Sequence, residues 1–299
     1  EAMSAMKLPK PGLWQEICLV PAALIGIRLL IPALIGVLYL WLSPTHQRST
    51  APWIELISAA LVCAACLGAY NFLMRTFRRS PVAELRGEAA QKELFLGAVA
   101  GLGLVSLAMS VQWLLGFWRF TGINVDQAMW WGVTIGLSAS VFEELLARGI
   151  LFRLIDIHHG PWWALVISTV VFGSLHLMNP GITWFGAIML TLGAGPLLGA
   201  AYLWKRTLWL PIGLHFGWNL AQASLWSQNV SGTGEQQGLL GGIASGPDWA
   251  TGGSVGMEGS VFTALICLGV SAVIIYVLHR NGHLYVSTPT SPETNPAAS

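Results

Sequence analysis

Residues 94–116 have the sequence LFLGAVAGLGLVSLAMSVQWLLG, 23 residues without a charged side chain. A helix needs about 20 consecutive apolar residues to cross the hydrocarbon core of a bilayer. Similar runs recur along the 299-residue chain, and they predict eight transmembrane helices: 16–43, 52–75, 94–116, 129–155, 162–179, 182–204, 208–228 and 259–279. The predicted fold class is an all-α, polytopic membrane helical bundle.

The overall composition agrees with this prediction. Hydrophobic residues make up 54% of the chain and charged residues only 10%, whereas soluble domains have about 25% charged residues. A soluble domain so poor in charge would expose apolar surface and aggregate. The net charge is +1, and no basic cluster exceeds a patch beside the membrane. We therefore expect a lipid bilayer as partner and no nucleic acid.

The distribution of basic residues predicts the orientation. Basic residues concentrate on one side of the predicted spans: Lys7, Lys10, Arg75, Arg78, Arg79, Arg86, Lys92, Arg153, Lys205, Arg206 and Arg280. The opposite side holds Arg48 and Arg119, with the acidic residues Glu235, Asp248 and Glu258. Because cytoplasmic loops carry the excess of Lys and Arg, both termini are predicted to be cytoplasmic. A bacterial inner membrane is the expected location.

The remaining segments flank or interrupt the bundle, which is predicted to extend over 16–280. Residues 1–15 form the predicted cytoplasmic N-terminal segment. Residues 229–258 are a glycine-rich outer loop, much longer than ordinary connections, and either a lid or a flexible linker fits this pattern. Residues 281–299 are rich in Ser, Thr and Pro and are predicted to be disordered.

Two adjacent glutamates interrupt the fourth predicted span. Burying an ionisable group in a bilayer is costly, so Glu143 and Glu144 indicate a function. Neighbouring helical residues point about 100° apart, so the two carboxylates face different directions. Arg148 lies four residues after Glu144, on the same helix face, where the two can form an ion pair. Glu143 is left without a local cation and is a candidate general base.

Polar residues also occur in two later predicted spans. His176 lies in the fifth, and His215 and Asn219 lie four residues apart on one face of the seventh. At about 1.5 Å per residue, Glu143, His176 and His215 lie roughly 18, 22 and 14 Å from the cytoplasmic ends of their spans. This spread is compatible with one shared site.

These residues form three ordered motifs: Glu-Glu-x-x-x-Arg at 143–148, Phe-x-x-x-His at 172–176 and His-x-x-x-Asn at 215–219. They resemble the motifs of the CAAX-protease and bacteriocin-processing family, which includes the Rce1-type prenyl-protein endopeptidases. The part of the chain that resembles the core of this family is about 128–222.

The resemblance implies roles for the polar residues. Glu143, assisted by His176, would activate a water molecule that attacks the peptide carbonyl. His215 and Asn219 would stabilise the oxyanion. The resemblance leaves the use of a metal open. A mechanism without a cofactor is favoured, but zinc is possible, with Glu143, His176 and His215 as ligands.

The other two motif residues have supporting roles in this interpretation. Arg148 would hold Glu144, which either shapes the site or helps with the water, and Phe172 would orient His176. The implied function is an intramembrane endopeptidase that acts on a membrane-associated protein or peptide. Two alternatives remain: a non-catalytic membrane scaffold or bacteriocin-immunity protein, and a proton-coupled transporter. The sequence does not predict the oligomeric state.

Overall fold

The computed structural model describes residues 13–42, 52–125, 130–234, 237–282 and 284, and most of them are helical. A π-helical turn, Gln15–Leu19, leads into the first of the ten α-helices in these described ranges. The helices are α1 Val20–Leu42, α2 Pro52–Arg78, α3 Ala90–Leu114, α4 Trp130–Glu144, α5 Arg153–His159, α6 Pro161–His176, α7 Trp184–Lys205, α8 Trp209–Leu220, α9 Asp248–Thr251 and α10 Val261–Arg280.

Each of the eight predicted spans is helical in the structure. Among the described residues, five helical segments are long and apolar enough to cross a membrane: Gln15–Leu38, Pro52–Arg78, Ala90–Leu114, Trp184–Lys205 and Val261–Arg280. The helix α6 is apolar but shorter. The chain is an integral membrane protein, whereas the count of eight spans and the orientation of the termini stay predictions. Most of the predicted N-terminal segment (1–15) and of the C-terminal tail (281–299), as well as Arg48, lie outside the described residues.

One feature departs from the predicted all-α fold. Residues Trp118–Ile123 and Leu240–Ala244 form two strands, β1 and β2, which pair antiparallel. Glycine-rich sequence is a weak strand signal, and β2 contains the pair Gly241-Gly242. The ring of Trp118 lies where a side chain at Gly242 would lie, about 2.0 Å from the position of a Cβ atom. The small sheet thus depends on glycine at this contact.

The outer loop has hydrogen bonds to the helices around the site. Glu258, in this loop, is buried, and its carboxylate accepts hydrogen bonds from Trp218 Nε1 at 2.7 Å and from Ser231 N and Oγ at 2.8 and 2.6 Å. The Asn179 side chain, just after α6, donates to the Ser231 carbonyl at 2.7 Å. These contacts hold the described part of the loop against α8 and the end of α6.

Close backbone contact fixes α8 against α3. A Cβ atom on Gly101 would lie 2.1 Å from the carbonyl oxygen of Leu214, and one on Gly97 would lie 2.4 Å from that of Leu210. On the other helix, a Cβ atom on Gly217 would lie 2.0 Å from the carbonyl oxygen of Ala98. Small residues allow two membrane helices to approach in this way. The contact determines the position of α8, which carries two predicted site residues.

The helix that carries Glu143 and Glu144 continues without a break into a π-helical segment, Leu145–Phe152, and then into α5. It ends at Gly160, whose φ of 87° suits glycine. Pro161 then begins α6, because proline is well suited to the first turn of a helix. This short turn places α6 antiparallel to the helix before it.

Candidate active site

Three helices bring the predicted catalytic side chains together. Oε2 of Glu143, on α4, lies 4.0 Å from Nε2 of His176, on α6, and 3.9 Å from Nε2 of His215, on α8. The Glu143 side chain is 30% exposed, whereas those of His176 and His215 are 12% and 9% exposed. The Glu143 side chain is therefore the most accessible of the three, but its Oε2 atom, which both imidazoles face, is itself buried.

Hydrogen bonds on the far side of each imidazole orient its ring. Nδ1 of His176 lies 2.8 Å from the carbonyl oxygen of Phe172, and Nδ1 of His215 lies 3.0 Å from Oε1 of Glu144. Both oxygens only accept, so Nδ1 carries the proton in each neutral imidazole. Nε2 then has a free lone pair directed towards Glu143. The second hydrogen bond of a histidine commonly fixes its tautomer in this way.

Glu144 and Arg148 form a fully buried pair beside the site. Nη1 of Arg148 donates to Oε1 of Glu144 at 3.0 Å, and both side chains are 0% exposed. Nη2 of Arg148 donates to the carbonyl oxygen of Gly195 on α7 at 3.1 Å. The same carboxylate oxygen also accepts from His215, so Glu144 does more than neutralise Arg148. It also orients the imidazole of His215.

Phe172 lies between the ion pair and the histidines. Its ring centre is 4.7 Å from that of His176 and 6.2 Å from that of His215, and the Arg148 guanidinium carbon lies 4.8 Å above the ring. An arginine over an aromatic face is attracted by the ring quadrupole. The ring therefore packs against Arg148 and both imidazoles and limits how far either imidazole can turn.

Asn219 is the one predicted site residue that the structure does not connect to the others. It is buried one turn after His215, and its Cβ atom lies close to Gly136 on α4. Within the described ranges, Asn219 forms no hydrogen bond with Glu143, His176 or His215. Its proximity to the site follows from the helix, and its role stays a prediction.

A small cavity of about 20 Å³ extends behind the histidines. His176 and His215 line one part of it, and Trp218, Ser231 and Glu258 line another, with leucines of α7 between them. A space of this size can hold a water molecule. In the sequence, Glu258 stands out only as a charge on the outer side. No motif links it to the site, and only its burial could have revealed the contact.

The geometry around Glu143 is wider than a zinc site requires. In the described part of the chain, no group of three His, Cys, Asp or Glu side chains is arranged to hold a metal ion. Zinc bonds of 2.0–2.2 Å place tetrahedral ligands about 3.3–3.6 Å apart. The separations of 3.9 and 4.0 Å around Glu143 are larger. They leave room for a water molecule that donates one proton to Glu143 and the other to Nε2 of one histidine, at about 2.8 Å from each.

Part of the chain matches the model of a known protein family. Residues 125–221 match the family model described as type II CAAX prenyl endopeptidase Rce1-like. We call this matched segment the Rce1-like domain. It nearly coincides with the predicted core, 128–222, and contains every predicted site residue from Glu143 to Asn219. The chain matches no curated protein and no solved structure. The first three helices, the outer loop and α10 lie outside the Rce1-like domain.

Proposed function

We propose that the protein is an intramembrane endopeptidase in which Glu143 activates the water molecule that hydrolyses a peptide bond. The Rce1-like domain supports a CAAX-type intramembrane protease at the level of the family. The observation that carries the proposal is the convergence of Nε2 of His176 and Nε2 of His215 on one oxygen of Glu143. That oxygen is buried and forms no hydrogen bond with any described residue, so it is available to a water molecule.

The proposed reaction begins with a water molecule between these three groups. The water donates one proton to the Glu143 carboxylate and is oriented by the lone pair on Nε2 of His176. As the proton moves to Glu143, the water oxygen forms a bond with the carbonyl carbon of the substrate. The carbon–nitrogen bond then breaks, and Glu143 returns the proton to the leaving amine. A positioned acid–base group of this kind contributes about 10²- to 10⁴-fold to a rate.

The negative charge on the carbonyl oxygen needs a hydrogen-bond donor. His215 can donate through Nε2 when it is an imidazolium, and the Glu144 carboxylate on Nδ1 supplies the opposite charge. Asn219 is proposed as a second donor, because its side chain follows His215 by one turn. Preorganised donors at this position strongly stabilise the charge of the transition state in a site shielded from water.

Zinc is not required by this mechanism, and no step passes through a metal. The proposal predicts that cleavage by the purified protein continues in the presence of a chelator. Loss of cleavage after chelation, with recovery on adding zinc, would instead assign Glu143, His176 and His215 as ligands.

The experiment is cleavage of membrane-associated peptides by the purified protein in detergent. Glu143→Gln is expected to reduce the rate by at least about 10²-fold, with the unfolding temperature unchanged. Glu55→Gln is the matched control, because Glu55 lies on α2 outside the site, and it should cleave like the original protein. His176→Ala should also reduce the rate. His158→Ala is its control and should not, since His158 is exposed at the end of α5.

Two results would overturn the proposal. Full activity in Glu143→Gln would remove the base from the mechanism. An intact cellular phenotype in a strain that carries only Glu143→Gln would favour a scaffold or immunity protein. Comparing prenylated with unmodified peptides determines whether the substrate class in the family description applies here. Fractionation of bacterial cells tests the proposed location in an inner membrane.

A further inference from the structure

The π-helical segment Leu145–Phe152 follows directly after Glu144 and contains Arg148. Within it the backbone N–H of Arg153 donates to the carbonyl of Arg148, five residues earlier, instead of four as in an α-helix. Such segments are rare, and they frequently occur at functional sites. A π-helical turn needs support from outside the helix, because its own hydrogen bonds are less favourable.

The support comes from a buried tyrosine on α2. The Tyr70 hydroxyl lies 2.8 Å from the carbonyl oxygen of Gly149, in the π segment, and 2.7 Å from Oε1 of Glu84. Nε of Arg153 donates to the same Gly149 carbonyl at 2.9 Å. A Cβ atom on residue 149 would lie only 2.7 Å from the Tyr70 hydroxyl. The contact therefore requires glycine at this position.

Tyr70 is itself fixed by a compact charged cluster. Arg78 donates to both oxygens of Glu84, at 2.8 and 3.2 Å. Arg153 pairs with Glu16, which precedes α1, and Glu16 also lies 3.5 Å from Arg78. Two carboxylates and two guanidiniums balance in charge. The cluster connects the start of the first helical segment, the end of α2 and the π segment.

From the π segment the contacts lead to the site. Arg148 is the residue before Gly149, and its guanidinium is bonded to Oε1 of Glu144. That oxygen also accepts from Nδ1 of His215. A change in the π segment at Gly149 would move Arg148, then Glu144, and with it the imidazole. Each link in this series is a single hydrogen bond or a single peptide unit.

We propose that Tyr70 is a positioning residue for the active site: its hydroxyl holds the π segment so that Arg148 and Glu144 orient His215. This inference rests on the proposed function, because it assigns a role to a residue that does not touch the substrate. It adds α2, which lies outside the Rce1-like domain, to the machinery of the site.

The test removes one oxygen atom. Tyr70→Phe keeps the ring and is expected to lower kcat about tenfold, the effect of weakening one buried hydrogen-bond link, while KM changes less than about twofold. Tyr202→Phe is the matched control: Tyr202 is also a buried tyrosine, and its ring packs on Phe152. It should leave kcat unchanged. Thermal unfolding of both variants determines whether the protein is folded during the assay.

The nitrogen-15 NMR signal of His215 distinguishes positioning from a purely structural role, which would leave it unchanged. The signal is identified by its loss in His215→Asn. Tyr70→Phe should shift the Nδ1 signal of His215, and Tyr202→Phe should not. If Tyr70→Phe does not fold, Gly149→Ala replaces it, since its Cβ atom would lie 2.7 Å from the Tyr70 hydroxyl and would displace it from the Gly149 carbonyl.

The outcomes separate the two proposals. An unchanged His215 signal together with unchanged kcat in a folded Tyr70→Phe protein would overturn the positioning role and leave proteolysis intact. If the His215 signal shifts in Tyr70→Phe but the unsubstituted protein cleaves none of the peptides, the result would support the structural coupling and overturn the proposed function. A lower unfolding temperature with kcat and the signal unchanged would limit Tyr70 to stability and would also overturn the inference.

Discussion

Replacing Gly101 by alanine tests whether the contact between α3 and α8 places His215. An added Cβ atom would lie 2.1 Å from the carbonyl oxygen of Leu214 and 2.6 Å from the amide nitrogen of Trp218. Carbon–oxygen contacts between helices begin near about 3.3 Å. The helices must therefore separate by about 1.2 Å, because both contact atoms belong to the backbone, which cannot turn away.

The expected cost has two parts. Overpacking of this kind destabilises a protein by about 1–3 kcal/mol. A displacement of about 1 Å at a catalytic group can reduce the rate about 10²-fold, because α8 carries His215 next to the contact residue Leu214. Gly103→Ala is the matched control on the same helix, since a Cβ atom on Gly103 meets nothing within 4 Å. It should be neutral or slightly stabilising.

The assay is thermal unfolding in detergent combined with the rate of peptide cleavage at a temperature where both variants are folded. Gly101→Ala should lose both stability and rate, and Gly103→Ala neither. Equal behaviour of the two variants would refute the reasoning. A stability loss with a normal rate would show that α8 can move without disturbing the imidazole.

Three further variants test other contacts. Burial alone would raise the pKa of Glu84, but hydrogen bonds and charge from Arg78 hold it below its ordinary 4.5. The ionised Glu84 carboxylate therefore stabilises the folded protein fully above about pH 4.5, and this stabilisation is lost on further acidification. Glu84→Gln should make the unfolding temperature less dependent on pH over that range. Arg148→Met leaves the Glu144 carboxylate buried without its arginine, with only the His215 hydrogen bond, so we expect a loss of about 3–5 kcal/mol, with partial recovery in the double variant with Glu144→Gln. Ser260→Ala removes the N-cap of α10 and should cost about 1 kcal/mol in unfolding experiments; an unchanged midpoint would contradict the capping role.

The sequence predicted the membrane bundle and the position of its helices well, because long uncharged apolar runs are stable as helices in lipid and rarely occur in soluble folds. It also predicted that Glu144 and Arg148 pair, since residues four apart lie on one helix face. The structure adds that Glu144 bonds His215. The two residues of that contact are 71 positions apart in the sequence, so no local spacing predicts it.

Other features could not be derived from the sequence for physical reasons. The pairing of β1 with β2 depends on a contact between Trp118 and Gly242, which are far apart in the sequence, so no local pattern predicts it. The π-helical segment depends on Tyr70, which lies on another helix. The glycines of α3 and α8 are visible in the sequence as small residues four apart, but their partner helix is defined only by the packing.

The shortness of α6 has a consequence for the surrounding lipid. Its 16 residues, Pro161–His176, span about 24 Å, against about 30 Å for a typical hydrocarbon core. If α6 crosses the bilayer as the sequence predicts, this hydrophobic mismatch favours local thinning of the bilayer beside it. Headgroups and water then come closer to His176, which ends the helix, than they do to the middle of the neighbouring spans. The thinned bilayer would thus help water to reach the site. Cleavage should therefore slow in bilayers made of longer acyl chains.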